Sequence, residues 1–292
     1  MQLNRTFLFA PGNHRRKLAK VFDVGADAVI LDLEDAVAIA EKVAARETVR
    51  AALGTKVHAR AYVRVNALDT SLTFEDLEAV VCADLDGIVL PKVERAADLQ
   101  MVDWVVTSLE GKLGLAPGEI DLMPIIETGR GIATVRDIAM SGVPRVKRLS
   151  FGAGDYTRDM GMTWSRAEGE LLPARSEVVL ASRIADLEPP IDTVFIHIND
   201  ADGFESSTAH VRDLGFQGKL CIHPNQIAAA HAVLTPDREQ VAHARAVIAA
   251  FDQAEAEGSA SIQLDGYFID YPIVEKARRV VALAKAAEKA AT

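Results

Sequence analysis

The chain has 292 residues, of which 49% are hydrophobic, and a formal net charge of −10. This length fits one large α/β domain, and the negative charge excludes the diffuse positive field that holds a nucleic-acid backbone or an anionic membrane. Cys82 and Cys221 stand far apart, which argues against a disulfide framework or a structural zinc site. Neither a secretory signal nor a run of about 20 apolar residues is visible, so we expect a cytoplasmic protein.

Short apolar runs rich in β-branched residues alternate with longer amphipathic stretches, which is typical of βαβ units and a parallel sheet. The predicted strands are residues 6–11, 28–34, 59–66, 87–93, 121–127, 148–155, 192–200 and 219–223. Segments between them with helical spacing include residues 38–53, 72–82, 96–109 and 132–140. Eight such units favour a closed (β/α)8 barrel over an open sheet.

Two segments depart from this rhythm. Residues 156–173 are polar and too long for an ordinary loop, so we expect them to cover one side of the barrel mouth. Beyond the eighth strand the sequence predicts a helix over 237–257, an extended piece over 261–270 and a helix over 272–287. We therefore expect residues 1–235 to form the barrel and residues 236–292 a C-terminal helical arm or lid of the same domain.

Polar residues at the carboxyl ends of the strands are the candidates for chemistry, because active sites of such barrels lie there. Glu127 and Asp155 end the predicted fifth and sixth strands, each in a parity that can face the barrel mouth. Two carboxylates with waters make an oxygen-rich site of the kind that Mg2+ prefers. The alternative is that both side chains cap the helices that follow them.

Arg64 ends the third strand, where its fork of N–H groups suits a substrate carboxylate or a developing oxyanion. A structural salt bridge from Arg64 to Asp32, Glu34 or Asp35 is at least as good an interpretation. Glu34 and Asp35 are candidates for orienting Arg64 and metal-bound water, and Lys92 for either task.

The first loop, residues 11–17, and Lys20 concentrate basic groups at a helix N-terminus in an acidic chain. Arg16 and Lys20 there suit the phosphate of a nucleotide-bearing cofactor, although a solvated basic helix face is the common alternative. His223 is more typical of a histidine satisfied by local hydrogen bonds than of a ligand.

Eight strings in order resemble the citrate lyase β-subunit-like branch of the HpcH/HpaI aldolase family: LFAPGN, ADAVILDLEDAV, YVRVN, GIVLPKVE, PIIETGRGI, FGAGDY, GFQGKLCIHPNQI and LDGYFIDYPIVEKA. The resemblance implies a (β/α)8 barrel, a homo-oligomer that is a trimer or hexamer, and a CoA or carrier-protein thioester as ligand. It also implies Mg2+ as cofactor, with Mn2+ as a substitute.

By position, the resemblance assigns Glu127 and Asp155 as metal ligands and Arg64 as a substrate-binding residue. It places Asp270 as a catalytic aspartate that the tail of one subunit delivers to its neighbour. Contacts to the thioester fall on Phe9, Arg16, Lys20, Ile222 and His223. Many relatives carry Glu before the metal-binding aspartate, where this chain has Gly154, which puts the acyl pocket in doubt.

The implied activity is cleavage or formation of a 3-hydroxyacyl-CoA such as malyl-CoA or citramalyl-CoA, with a 2-keto acid as partner. Three alternatives stay open at this point. They are the β subunit of a citrate lyase complex, a malyl-CoA thioesterase and a non-catalytic acyl-CoA-binding protein.

Overall fold

The computed structural model describes residues 2–290, and they divide into two compact units. Among these residues, eight parallel strands of the larger unit, residues 4–230, close into a barrel in chain order. The strands are β1 (Thr6–Pro11), β2 (Ala28–Asp32), β3 (Arg60–Arg64), β4 (Gly87–Leu90), β5 (Asp121–Ile126), β6 (Ser150–Phe151), β7 (Ile191–Asp192) and β8 (Gly218–Cys221). The predicted (β/α)8 barrel is therefore confirmed.

Helices follow each strand and form the outer layer of the barrel. They are α1 (Arg15–Val21), α2 (Lys42–Leu53), α3 (Thr73–Val80), α4 (Ala96–Leu113), α5 (Gly129–Ala133), α6 (Val135–Ala139), α7 (Ala153–Asp159), α8 (Leu172–Ile184), α9 (Ala201–Leu214) and α10 (Asn225–Leu234). Short 3-10 turns lie at Ile39–Glu41 and Gly169–Leu171. Among the described helices, none combines the length and apolarity that a bilayer span requires.

The barrel interior is filled by alternate residues of the strands, as the two-residue period of a strand requires. These buried side chains are Phe7, Ala28, Ile30, Tyr62, Val89, Met123, Ile125, Ile191 and Leu220. The intervening residues face the helices and are also buried, which explains why β5 is apolar along most of its length. Since Met123 and Ile125 point inward, the same parity directs Glu127 toward the mouth.

The predicted sixth strand is much too long. Its pairing with β5 stops after Phe151, and the Gly152 N–H makes the last ladder bond, to the Ile126 carbonyl at 3.1 Å. The next N–H, that of Ala153, donates to the Thr193 hydroxyl at 2.8 Å, and helix α7 begins there. Apolar alternation alone could not show that a side chain takes over this N–H.

The predicted seventh strand is corrected in the same way. The predicted strand 192–200 is β7, which ends at Asp192, and Asp200 instead caps α9 by accepting the Gly203 N–H at 3.1 Å. The polar segment 156–173, expected to cover one side of the barrel mouth, begins with the last residues of α7 and continues through a 3-10 turn into α8.

The smaller unit contains residues 2–3 and 231–290. It has α11 (Arg238–Ala256), a hairpin of β9 (Ile262–Leu264) and β10 (Tyr267–Ile269), and α12 (Tyr271–Ala290). The predicted extended piece is thus a hairpin, and its two-residue Asp265-Gly266 turn has positive φ at both positions, which matches the twist of the paired strands. Packing of this arm on a neighbouring subunit stays a prediction.

A fully buried ion network fixes the outer side of β7 and β8. Arg175 of α8 donates to both carboxylate oxygens of Asp192, at 2.8 and 3.0 Å, and to Glu168 at 3.0 Å. Lys219 of β8 reaches the same Asp192 at 2.5 Å. Burial alone raises the pKa of Asp192, but the charges of Lys219 and Arg175 outweigh it and lower that pKa.

Substituting Asp192 by Asn should lower the free energy of unfolding by about 3–5 kcal/mol at pH 7, because two buried cations lose their counter-charge. A lowered folded-state pKa gives stability that is complete above the unfolded pKa of about 4 and lost as pH falls through the folded value. Denaturant unfolding should therefore show the difference from wild type shrinking on acidification.

The exposed ion-pair residue Asp213 is the control, and Asp213→Asn should change stability by less than about 1 kcal/mol. Equal effects of the two substitutions would contradict the assignment of Asp192 as the anchor of this wall.

Candidate active site

A cavity of about 1190 Å3 opens at the carboxyl end of the barrel strands. Many of the predicted site residues line it together: Phe9, Arg16, Lys20, Asp35, Arg64, Glu127, Asp155, Ile222 and His223. Glu34 and Lys92 contact these residues from behind. Asp270 lies in the smaller unit, between β10 and α12, and its role stays a prediction.

Arg64 is held in one orientation at the end of β3. Its Nε and Nη2 donate to the two carboxylate oxygens of Asp32 at 2.8 and 2.7 Å, and Nη1 lies 3.0 Å from Glu34. The guanidinium carbon sits 4.7 Å from the centre of the Phe9 ring, within the range of a cation–π contact. Burial opposes the charge of Arg64, but these carboxylates outweigh it and raise its pKa. The salt bridge that was the alternative interpretation of Arg64 is thus present, and Arg64 also lines the cavity.

Glu127 directly follows β5 and is 3% exposed. Its Oε1 accepts the backbone N–H of Lys92 at 2.9 Å. On its other side the carboxylate lies against Gly152, where a β-carbon would come within 2.8 Å of the Glu127 Cβ and closer still to Oε2. Burial raises the pKa of Glu127 to about 8, with the charges of Glu34 and Asp155 adding to the rise and that of Arg64 opposing it.

Asp155 was predicted to end the sixth strand, but it lies in the first turn of α7. Its carboxylate pairs with Arg158 at 2.5 Å and lies 3.8 Å from Nζ of Lys92. Its side chain still lines the cavity, because β6 is short and α7 begins at the mouth.

Helix capping does not explain the two carboxylates. The N-cap of α7 is Gly152, and α5 is capped by the Thr128 hydroxyl, which accepts the Gly131 N–H at 2.9 Å. Neither carboxylate is therefore an N-cap, although Asp155 lies in the first turn of α7, where an acid is favourable to the helix dipole.

Two carboxylates with free oxygen capacity suit a hard cation that takes its other ligands from water and a bound anion. No group of three or more His, Cys, Asp or Glu side chains arranged for a metal occurs among residues 2–290. The buried Glu127 nevertheless fits a cation, since a carboxylate with a pKa near 8 needs additional positive charge to stay ionised at neutral pH.

The basic residues and the histidine lie along the same cavity. Arg16 and Lys20 of α1 are exposed, and both line the cavity. The Nδ1 atom of His223 accepts the Asn225 N–H at 3.2 Å, so this histidine is satisfied locally as predicted and its ring still borders the cavity.

Residues 5–224 match the family described as HpcH/HpaI aldolase/citrate lyase. The chain belongs to this family. It is 38% identical over 288 residues to the citrate lyase subunit beta of Leuconostoc mesenteroides subsp. cremoris, covering 98% of this chain and 94% of that protein. It is 34% identical over 284 residues to a (3S)-malyl-CoA thioesterase of Cereibacter sphaeroides, covering 97% and 95%. The resemblance noted in the sequence is thereby confirmed.

Solved structures of the family superpose on the chain. The Mycobacterium tuberculosis protein CitE in complex with magnesium, acetoacetate and coenzyme A matches with a TM-score of 0.78 and 29% identity, over 97% of this chain and 98% of that one. A citrate lyase beta subunit from the same organism, complexed with oxaloacetate and magnesium, matches with a TM-score of 0.67 and 30% identity, over 80% and 98%.

Two residues of the site escaped the sequence interpretation. Asp32 was considered only as one partner for Arg64, yet it grips the guanidinium with both oxygens and also accepts the Glu34 N–H at 2.9 Å. Gly152 carried no signal, because its importance lies in the space that it leaves for Glu127. The string LDLED could have suggested Asp32, but nothing short of coordinates could have suggested Gly152.

Substituting Gly152 by Ala should displace the Glu127 carboxylate and weaken binding of a divalent cation by about 10- to 100-fold. Calorimetric titration with Mg2+ alone measures this, and a thermal melt checks that the barrel is folded.

Gly154, two residues further along, offers a matched control, because a β-carbon there meets only Trp164 at 3.8 Å. Gly154→Ala should bind Mg2+ like the wild type. Equal affinities of the two alanine variants would show that Gly152 does not set the position of Glu127.

Proposed function

We propose that the chain is a Mg2+-dependent carbon–carbon lyase acting on a short 3-hydroxyacyl-CoA that carries an adjacent carboxylate, such as malyl-CoA or citramalyl-CoA. The products are a 2-keto acid, glyoxylate or pyruvate, and acetyl-CoA or propionyl-CoA. The observation that carries this proposal is the convergence of Glu127, Asp155 and Arg64 on one cavity that Arg16 and Lys20 also line.

Glu127 and Asp155 would hold the Mg2+. When bound there, the ion supplies Lewis-acid polarisation of the substrate's hydroxyl and carboxylate oxygens. The magnesium in the related structures supports this assignment.

Arg64 would stabilise the negative charge on the hydroxyl oxygen as that group gives up its proton to water, and this oxygen becomes the keto oxygen of the product when the carbon–carbon bond breaks. It is suited to this task because Asp32 and Phe9 fix its guanidinium before any ligand binds. The electron pair of the broken bond stays with the thioester as an enolate, which must then gain a proton at carbon.

Arg16 and Lys20 would bind the phosphates of CoA. Together with Lys17, they are exposed cationic side chains of α1 that line the cavity, in a chain of net charge −10. The cavity of about 1190 Å3 exceeds the usual 300–1000 Å3 of a pocket for a small ligand, which suits a long thioester arm. Phe9, Ile222 and His223 would contact that arm.

The activities named for relatives favour two other reactions. Relatives at 36–38% identity are citrate lyase β subunits, which suggests cleavage of a citryl thioester. Others at 34% identity are malyl-CoA thioesterases, which suggests hydrolysis. A non-catalytic acyl-CoA-binding protein is disfavoured because Glu127, Asp155 and Arg64 are all present.

The test offers the purified protein malyl-, methylmalyl-, citramalyl- and citryl-thioesters with Mg2+ and identifies the products. We expect a 2-keto acid with acetyl-CoA or propionyl-CoA. Glu127→Gln and Asp155→Asn should each lower kcat/KM by more than about 100-fold, since changes to residues that merely support metal ligands cost 10- to 100-fold. Excess chelator should have the same effect.

The exposed Glu119 provides the control, and Glu119→Gln should leave turnover unchanged. Free CoA with malate as product would replace the lyase proposal by hydrolysis. Turnover that persists in chelator would overturn the role of Mg2+.

We further propose that Asp270 supplies the proton-transfer group and acts on the barrel of a neighbouring subunit. Among residues 2–290 no hydrogen-bond donor contacts its carboxylate, so its oxygens are open to another molecule. Tyr267 and Phe268 beside it are 72% and 68% exposed, and clustered exposed aromatic residues mark a surface that meets another molecule.

Asp270→Ala and Arg64→Ala should each be nearly inactive, because one lacks the proton-transfer group and the other the oxyanion partner. Co-expression should restore activity, since random mixing pairs an intact barrel with an intact tail at about one quarter of the sites. Native mass spectrometry verifies mixed assemblies. Activity no greater than that of the two separate variants would mean that Asp270 does not act between subunits.

A further inference from the structure

Lys92 adopts a backbone conformation that normally belongs to glycine. It follows β4 at the barrel mouth with a φ of +52°. A glycine would adopt this conformation without strain, whereas a residue with a β-carbon does so at a cost. Backbone strain of this kind persists where the surrounding structure or the function needs that residue.

The backbone of Lys92 does not explain why the residue is lysine. Its N–H holds Oε1 of Glu127 at 2.9 Å, but a glycine N–H would make the same bond. The reason for the lysine must therefore lie in its side chain.

The ammonium group of Lys92 lies among carboxylates. It donates to Oε1 of Glu34 and lies 3.8 Å from Oδ2 of Asp155, and its side chain is 23% exposed. Burial opposes the charge of Lys92, but the hydrogen bond to Glu34 and the charges of Glu127 and Asp155 raise its pKa. Glu34 also faces Arg64, and Asp155 also faces Arg158. Among residues 2–290, Lys92 is thus the cation found in contact with both Glu34 and a proposed metal ligand.

We propose that Lys92 is a positioning residue whose ammonium holds the carboxylate cluster of Glu34, Glu127 and Asp155 together in the metal-free protein and weakens binding of a free divalent cation. This inference rests on the proposed function, since it takes Glu127 and Asp155 as the metal ligands. Two opposite effects follow from one charge. It offsets the mutual repulsion of the carboxylates, and it repels a cation that enters beside it.

Lys92→Gly separates the side chain from the backbone, because it relieves the strained φ, keeps the N–H bond to Glu127 and removes the ammonium. Lys92→Met removes only the charge, and Lys92→Arg keeps it. Asp186 supplies the matched control, since it is exposed, has a φ of +53° and lies outside the site. Asp186→Gly should therefore show what relief of the backbone alone does.

Thermal melts in chelator and calorimetric titrations with Mg2+ alone test the proposal. In chelator, Asp186→Gly should melt at or above the wild-type temperature, whereas Lys92→Gly and Lys92→Met should melt about 2–4 °C below it. Lys92→Gly and Lys92→Met should each bind Mg2+ about tenfold more tightly than the wild type. The Mg2+ affinity of Lys92→Arg should stay within about twofold of the wild-type value.

A rise in the melting temperature of Lys92→Gly that equals that of Asp186→Gly would overturn the stabilising role of the ammonium. Unchanged or weaker Mg2+ binding by Lys92→Gly and Lys92→Met, with wild-type binding intact, would overturn the effect on the cation. Absence of Mg2+ binding by the wild type would instead overturn the proposed function, and the melts in chelator would still decide the role of Lys92 in the cluster.

Discussion

The repulsion among buried acids at one end of the barrel is the constraint on which the rest of this site depends. Parallel strands all end at the same rim, so carboxylates that follow different strands are brought together. Asp32, Glu34, Glu127 and Asp155 meet in this way, and burial together with the charges of Glu34 and Asp155 raises the pKa of Glu127 to about 8. Like charges in a low dielectric must be offset by cations, and the structure offsets them with basic side chains from β3, α7 and the end of β4.

Residues around the acids restrict the positions of the charged side chains. Gly152 leaves room for the Glu127 carboxylate, and the Lys92 N–H fixes one of its oxygens. Phe9 packs under the Arg64 guanidinium at 4.7 Å. None of these contacts is exceptional alone, but each restricts one side chain to one position. A site that is arranged before its ligand arrives loses less entropy when the ligand binds.

The sequence was sufficient for the barrel and for bringing Arg64, Glu127 and Asp155 to its cavity, because hydrophobic period and strand ends are local signals. It was insufficient where one segment depends on a distant one. Asp155 was placed at a strand end, since the pattern could not show that Thr193 takes the Ala153 N–H and starts a helix. The φ of Lys92 and the space beside Gly152 are likewise properties of the folded chain, and neither leaves a mark in composition or spacing.

The two interpretations of Arg64, structural salt bridge and substrate-binding residue, are compatible once its hydrogen-bonding capacity is considered. A guanidinium has five N–H groups. Asp32 takes one from Nε and one from Nη2, and the Nη1 contact to Glu34 is an ion pair in which Oε2 of Glu34 receives no hydrogen bond. Three N–H groups of Arg64 therefore form no hydrogen bond to the described residues. Asp32 and Phe9 fix the plane of the guanidinium, so the salt bridge sets the direction of the remaining N–H groups. Loss of Asp32 would therefore disturb the orientation of Arg64, whereas its positive charge would remain.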